Sequence, residues 1–175
     1  KVTLDSRNKQ YINHVFNLMK KVLDIEPVIY NRKNENTTDI RTFRKEKILY
    51  ALNELKLKKS PKWQNMEIPV KYIVNHLGKL VLRGLFDTDG SVTIFKNNRT
   101  IYPRLELKLS PSPAQNQVFD LLSRYKFNYR VQKLERGKIK IRLSGKKELL
   151  KWKEIIGSSN KLYLDKMNSF SKKGL

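Results

Sequence analysis

The chain has 175 residues, no cysteine, and 38 lysines and arginines against 16 acids, a formal net charge of +22. Disulfides and cysteine-ligated metals are thereby excluded, and no apolar run reaches the roughly 18 residues a membrane span needs. So basic a surface calls for a polyanionic partner, nucleic acid above all; a ribosome-associated protein or a merely basic surface remain open on composition alone.

Residues 1–5 alternate, with Val2 and Leu4 to one side, and predict the tail of a strand. Asn8 can cap a helix running to about residue 24, with Ile12, Val15, Phe16, Met19, Val22 and Leu23 as its apolar stripe. Glu26-Pro27 ends it. Residues 28–32 and 37–43 read as strands around a polar turn, and a second helix carries Ile48, Leu49, Leu52 and Leu55. A lysine-rich connector, 56–69, leads to a helix capped by Asn75, with Leu77, Leu80, Val81, Leu82, Leu85 and Phe86 wrapping most of the way round. That pattern predicts burial on nearly all sides. Strands are expected at 91–97 and 102–109, a helix at 113–125, strands at 128–134 and 138–143, and a helix around Leu149, Trp152 and Ile156. The tail from Gly157 is polar and basic.

The helix over 76–90 ends in Leu82-Arg83-Gly84-Leu85-Phe86-Asp87-Thr88-Asp89-Gly90. Glycine inside a helix costs about 1 kcal/mol against alanine, so Gly84 suggests the close approach of a second helix. Asp87 and Asp89 lie at the negative end of the helix dipole, where stability alone disfavours acids and a bound cation would favour them. A calcium loop fails on spacing, since Leu85 and Lys96 would fall at its first and twelfth positions. The nine residues resemble the signature of the LAGLIDADG homing endonucleases, with six of the nine identical and Arg83, Phe86 and Thr88 as the departures. The resemblance implies that the helix packs on a second copy of its motif through Gly84, Leu85 and Asp87. It also implies that Asp89 ligates the catalytic metal. Asp87 is expected to hold the helix end by hydrogen bonding.

The halves of the chain repeat. Val15-Phe16-Asn17-Leu18-Met19 matches Val118-Phe119-Asp120-Leu121-Leu122 at an offset of 103, and Val28 matches Val131. Applied to Asp89, that offset falls at −14. The implied architecture is α+β: two pseudo-symmetric αββαββα repeats with saddle-shaped antiparallel sheets, the first lacking its motif helix and first strand. Residues 1–66 would be the incomplete half and 67–175 the complete one.

The outward strand residues Arg32, Arg41, Arg104, Lys108, Arg130, Gln132, Lys138, Lys140 and Arg142 suit a β-ribbon in the major groove, where arginine and lysine read guanine and glutamine reads adenine. Oxygen ligands such as Asp89 suit Mg²⁺. The family's basic residue after the last helix of each half maps to Lys58 and Lys161. Its polar or basic position after the second strand maps to Ser6 and Arg7, and to Leu109 and Ser110, where Leu109 departs. The expected function is a Mg²⁺-dependent, site-specific double-stranded DNA endonuclease serving intron or intein homing. The alternative is a catalytically degenerate relative, an RNA-splicing maturase or a DNA-binding regulator. The resemblance implies DNA as partner, with RNA possible, and no membrane. It also implies either a segment carrying the first motif or a homodimer through helix 76–88. The location expected is prokaryotic cytoplasm or an organelle, without secretion.

Overall fold

A computed structural model describes residues 1–56, 64–74, 76–97 and 100–172. The chain divides into two compact units, Lys1–Leu57 and Lys58–Leu175.

In the first unit β1 (Val2–Asp5) is followed by α1 (Lys9–Leu23), β2 (Val28–Asn31), β3 (Thr37–Arg41) and α2 (Lys45–Glu54). The strands form an antiparallel sheet in the order β1-β3-β2. Asn8 caps α1 as its residue type predicts, its side chain accepting from Tyr11 N–H at 3.3 Å. Leu4, Tyr11, Ile12 and Ile40 make a small core between α1 and the inner sheet face.

The second unit holds α3 (Val70–Ile73), α4 (Gly78–Asp89), β4 (Gly90–Asn97), β5 (Thr100–Leu109), α5 (Ala114–Arg124), β6 (Arg130–Lys133), β7 (Ile139–Ser144), α6 (Lys146–Ile155) and α7 (Lys161–Lys172). Its antiparallel sheet runs β4-β5-β7-β6. The β6–β7 turn is a single 3-10 turn in which Arg136 adopts φ 55° beside Gly137 at φ 71°. Leu105, Leu107, Leu109, Ile139, Ile141 and Leu143 all face one side of the sheet and are buried there with α4, α5 and α6. Trp152 anchors this core, with Phe86 and Phe127 tilted against it at ring separations of 4.9 and 5.4 Å.

The internal repeat is visible in the pairing. The order β1-β3-β2 matches β5-β7-β6, and the rung Val2↔Ile40 recurs 103 residues on as Leu105↔Leu143. In the second unit β4 continues the sheet beyond β5.

One expectation needs correction, and the polar, basic tail holds a further helix. Residues 161–172 form α7, which buries Met167 and Phe170. Helix α4 is not buried all round: Leu82 and Phe86 face the core, whereas Leu80 is 46% exposed and Gly84, Thr88 and Asp89 face outward. Within the chain a close helix approach falls at Gly78, where a Cβ would lie 2.6 Å from Leu121 of α5; at Gly84, where a second motif helix is expected, nothing among the described residues comes within 4 Å of a Cβ. The proposed cap Asn75 and the lysine Lys58 lie outside the described residues. Among those residues no helix is long and apolar enough to cross a membrane.

Candidate nucleic-acid interface

Alternation in β5 and β7 puts their polar residues on the face opposite the core. Rung by rung, that face carries Thr93, Arg104 and Ser144; then Ser91, Glu106, Arg142 and Arg130; then Lys108, Lys140 and Gln132. Two of its cross-strand pairs oppose like charges, Arg130↔Arg142 and Lys108↔Lys140. Like charges directly opposite destabilise a sheet, so folding alone would not select them. A polyanion laid across the face would.

Glu106 is the acid at the centre. It accepts from Arg142 Nε at 2.8 Å and has Arg104 and Lys140 each 3.8 Å away. Arg104 lies 3.9 Å over the Phe95 ring and 5.9 Å from that of Tyr102, and its buried Nε has no hydrogen-bond partner among the described residues. Tyr102, Arg104, Asn128, Arg130, Arg142 and Ser144 line a cavity of about 290 Å³. Lys138 lies exposed at the edge of the β6–β7 turn. Of the second-unit residues expected from sequence, Arg104, Lys108, Arg130, Gln132, Lys140 and Arg142 therefore come together on one face, with Lys138 at its edge.

The first unit has a smaller version. Asp39 is fully buried and accepts from Thr3 at 2.7 Å, from Arg32 Nε at 3.2 Å and from Arg41 Nε at 3.2 Å. Arg32 also reaches Glu35 at 3.1 Å, which commits all three of its nitrogens to acids. Arg41 stacks 4.5 Å over Tyr30. The Arg41 guanidinium, with the Thr3 hydroxyl, holds the Asp39 carboxyl well below the usual carboxylate range. Nearby, the side chain of Arg7 draws Asp5 down to about 2.

A depressed carboxyl stabilises the fold above its unfolded value, near pH 3.9, and that contribution is lost as pH falls through the folded value. The first unit is expected to loosen below about pH 4, and Asp39→Asn to remove most of that acid step, leaving only the share of Asp5 and Glu35. Amide exchange at Thr38 and Ile40 against pH measures this; an undiminished step in the variant would refute the assignment.

The two acids of α4 diverge. Asp87 turns inward. It is 4% exposed and accepts from the Ser158 hydroxyl and, at 2.7 Å, from Ser159 N–H. It thus fastens α4 to the turn before α7. Asp89 is exposed, and its hydrogen bond among the described residues comes from Thr88, whose hydroxyl also turns back to Gly84 and Leu85 carbonyls. Gly90 follows because a Cβ there would meet the Phe86 ring and carbonyl at 2.4 Å. Tyr163 of α7 donates to the Gly90 carbonyl at 2.7 Å. Leu85 is half-buried against the core. Arg83 donates to the Ile156 carbonyl at 2.7 Å and so caps α6. Lys161 opens α7 and is exposed; Leu109 points into the core, leaving Ser110 exposed beside it.

Tyr163 and Ser158 did not stand out in the sequence, although Tyr163, Met167 and Phe170 at helical spacing mark the buried side of α7. Among the described residues no group of three histidines or acids gathers to hold a metal. Asp89 offers one hard oxygen donor, and Asp87 is already engaged.

Residues 79–157 match the model of the LAGLIDADG-like domain. Solved structures share the fold, among them three bound to DNA. The homing endonuclease I-DmoI in complex with DNA and Mn superposes with a TM-score of 0.59 at 17% identity, covering 90% of this chain and 79% of that one. The homing endonuclease I-WcaI, bound to its DNA recognition sequence, gives 0.59 at 18% identity, covering 88% and 67%. The I-LtrWI LAGLIDADG homing endonuclease bound to target DNA gives 0.55 at 13% identity, covering 98% and 78%. A search of curated protein sequences found no match.

Proposed function

Residues 79–157 match the LAGLIDADG-like domain, and from that match we propose that the chain is a member of the LAGLIDADG family and works as a site-specific double-stranded DNA endonuclease. One observation carries the reading. The outward face of the four-stranded sheet opposes arginine to arginine and lysine to lysine across neighbouring strands, an arrangement suited to a phosphate backbone. Arg104, Lys108, Arg130, Gln132, Lys138, Lys140 and Arg142 would contact the groove there, and Arg41 in the first unit, where Arg32 is committed to Asp39 and Glu35. Arginine and lysine can also neutralise phosphates without reading bases.

Asp89 is the metal ligand in this reading. Its exposed carboxylate is a hard oxygen donor suited to Mg²⁺ or a similar divalent ion, which keeps several waters and needs only one or two carboxylates. When bound, such an ion supplies Lewis acidity and an activated water for in-line phosphodiester displacement. The protein's own part is positional. Asp87 ties the last turn of α4 to Ser158 and Ser159, and Tyr163 holds Gly90. Together they fix the backbone on which Asp89 sits. Lys161, and Lys58 outside the described residues, would steady charge on the phosphate.

The exposed stripe of Leu80, Gly84 and Thr88 on α4 would receive a second motif helix, from a separate segment or from a second copy of this chain. Intron or intein homing is the biological setting this implies. The degenerate alternative, an RNA-splicing maturase or DNA-binding regulator, is favoured by one observation: the neighbouring acid Asp87 is engaged by Ser158 and Ser159 rather than open beside Asp89.

The first test is a salt titration of duplex binding by fluorescence anisotropy. With six to ten phosphate contacts, affinity falls by roughly 10³–10⁵ between 50 and 200 mM salt. A flat titration would eliminate the nucleic-acid reading.

A further inference from the structure

Glu106 is hard to explain as a contact to phosphate, which repels a carboxylate, and its side chain is turned to arginines and a lysine rather than open to a cytosine amino group. Nor is it peripheral. It is 13% exposed at the side chain, lies on the rung shared by β4, β5 and β7, and gathers Arg104, Lys140 and Arg142. Among the described residues Arg142 alone is hydrogen-bonded to it, through Nε at 2.8 Å. That bond holds the guanidinium by one edge and, among those residues, leaves its two terminal nitrogens for another acceptor.

The first unit repeats the device. The rung Thr3↔Asp39 becomes, 103 residues on, the rung Glu106↔Arg142. The acid has changed strands, yet each sheet face still centres on one carboxylate holding arginines, with an arginine stacked on a neighbouring aromatic ring.

We infer that Glu106 is a specificity-determining residue of the DNA-binding face, one that orients Arg142 toward a base edge and suppresses sequence-independent binding to phosphate. The inference rests on the DNA reading above. The physical reason lies in what each interaction discriminates. Phosphate attraction is the same at every sequence, so cations alone raise affinity for all duplexes equally. A central carboxylate weakens that uniform attraction. Arginine held in a fixed orientation keeps its bidentate contact with guanine, which discriminates between bases. Arginine left loose would follow the nearest phosphate.

A purely structural role is the competing account, with Glu106 relieving repulsion among its three cations. The two accounts separate in binding. Glu106→Gln keeps the shape and removes the charge. In the specificity account the full-length variant binds a random-sequence duplex about three- to tenfold more tightly than the parent at 100 mM salt, and its salt slope steepens. A random duplex pool selected on the variant shows weaker base preference over one or two adjacent positions, with the rest of the selected site unchanged. Glu106→Asp, which restores the charge, recovers the parental preference. If Glu106→Gln fails to fold, the pair Glu106→Gln/Lys140→Gln, which removes a cation with the acid and so lifts the repulsion, replaces it: weaker base preference than in Lys140→Gln alone supports the inference, and equal preference overturns it.

Unchanged or weakened random-duplex binding by Glu106→Gln, with an unchanged selected site, overturns the inference and leaves the structural account. Lost preference in Glu106→Asp overturns it equally. A parent that shows no salt-dependent duplex binding removes the DNA reading itself, whereas a parent that binds DNA beside an unaltered variant removes only the role of Glu106.

Discussion

In any assembly of this chain that cuts DNA, Asp89→Asn is expected to abolish metal-dependent cleavage, by roughly a thousandfold or more, the scale of several kcal/mol of charge stabilisation at the scissile phosphate. Duplex affinity should stay within about twofold, because Asp89 ends α4 and is not one of the basic residues on the sheet face. Stability gives an independent reading. A carboxylate at a helix C-terminus opposes the dipole, and removing its charge is worth about 0.3–1 kcal/mol in favour of the fold. The variant should therefore melt at or slightly above the parental temperature while losing activity. Asp87→Asn differs on that axis. Asp87 is 4% exposed and holds Ser158 and Ser159, so the change disturbs a buried hydrogen-bond set and lowers stability. Parental cleavage by Asp89→Asn would place the metal elsewhere. A melting loss equal to that of Asp87→Asn would show Asp89 to be a structural acid.

The parts legible in sequence were those whose chemistry repeats at a fixed period. Leu105, Leu107 and Leu109 alternate with Arg104, Glu106 and Lys108, and the sheet faces follow directly. The 103-residue offset appears in the strand rungs as it does in the letters. Asn8 caps α1 because few residue types can do so. Less legible were features decided by long-range contact. Helix α7 lies in a polar, basic tail, and its apolar residues Tyr163, Met167 and Phe170 matter only once α6 and β4 are in place. Both aspartates of α4 carry the same charge near the same helix end. Only the turn at Ser158 and Ser159 separates the buried one from the exposed one. Gly78 and Gly84 look alike in the chain, yet α5 closes on the first and leaves the second open. The pairing of Arg32 and Arg41 with Asp39 was equally hidden, since basic outward residues were read as free to meet DNA.

The two sides of α4 supply the largest stability contrast. Phe86 is 1% exposed, with Trp152 at 4.9 Å and Tyr163 at 5.4 Å between ring centroids, and the missing Cβ of Gly90 leaves room for its ring. Phe86→Ala would open a cavity bounded by Trp152, which cannot collapse without moving α6 and α7. The expected cost is about 3–5 kcal/mol. Leu80 lies on the same helix but is 46% exposed, and truncating it in the isolated chain should cost no more than about 0.5 kcal/mol. If a second motif helix covers that side, Leu80 becomes an interface residue. Leu80→Ala would then weaken association while the isolated chain melts as before. Thermal melts of both variants, run over a range of protein concentration, separate these cases. Similar losses for Phe86→Ala and Leu80→Ala in the isolated chain would show that α4 buries both sides within this chain, and the open stripe over Gly84 would no longer stand as a docking face.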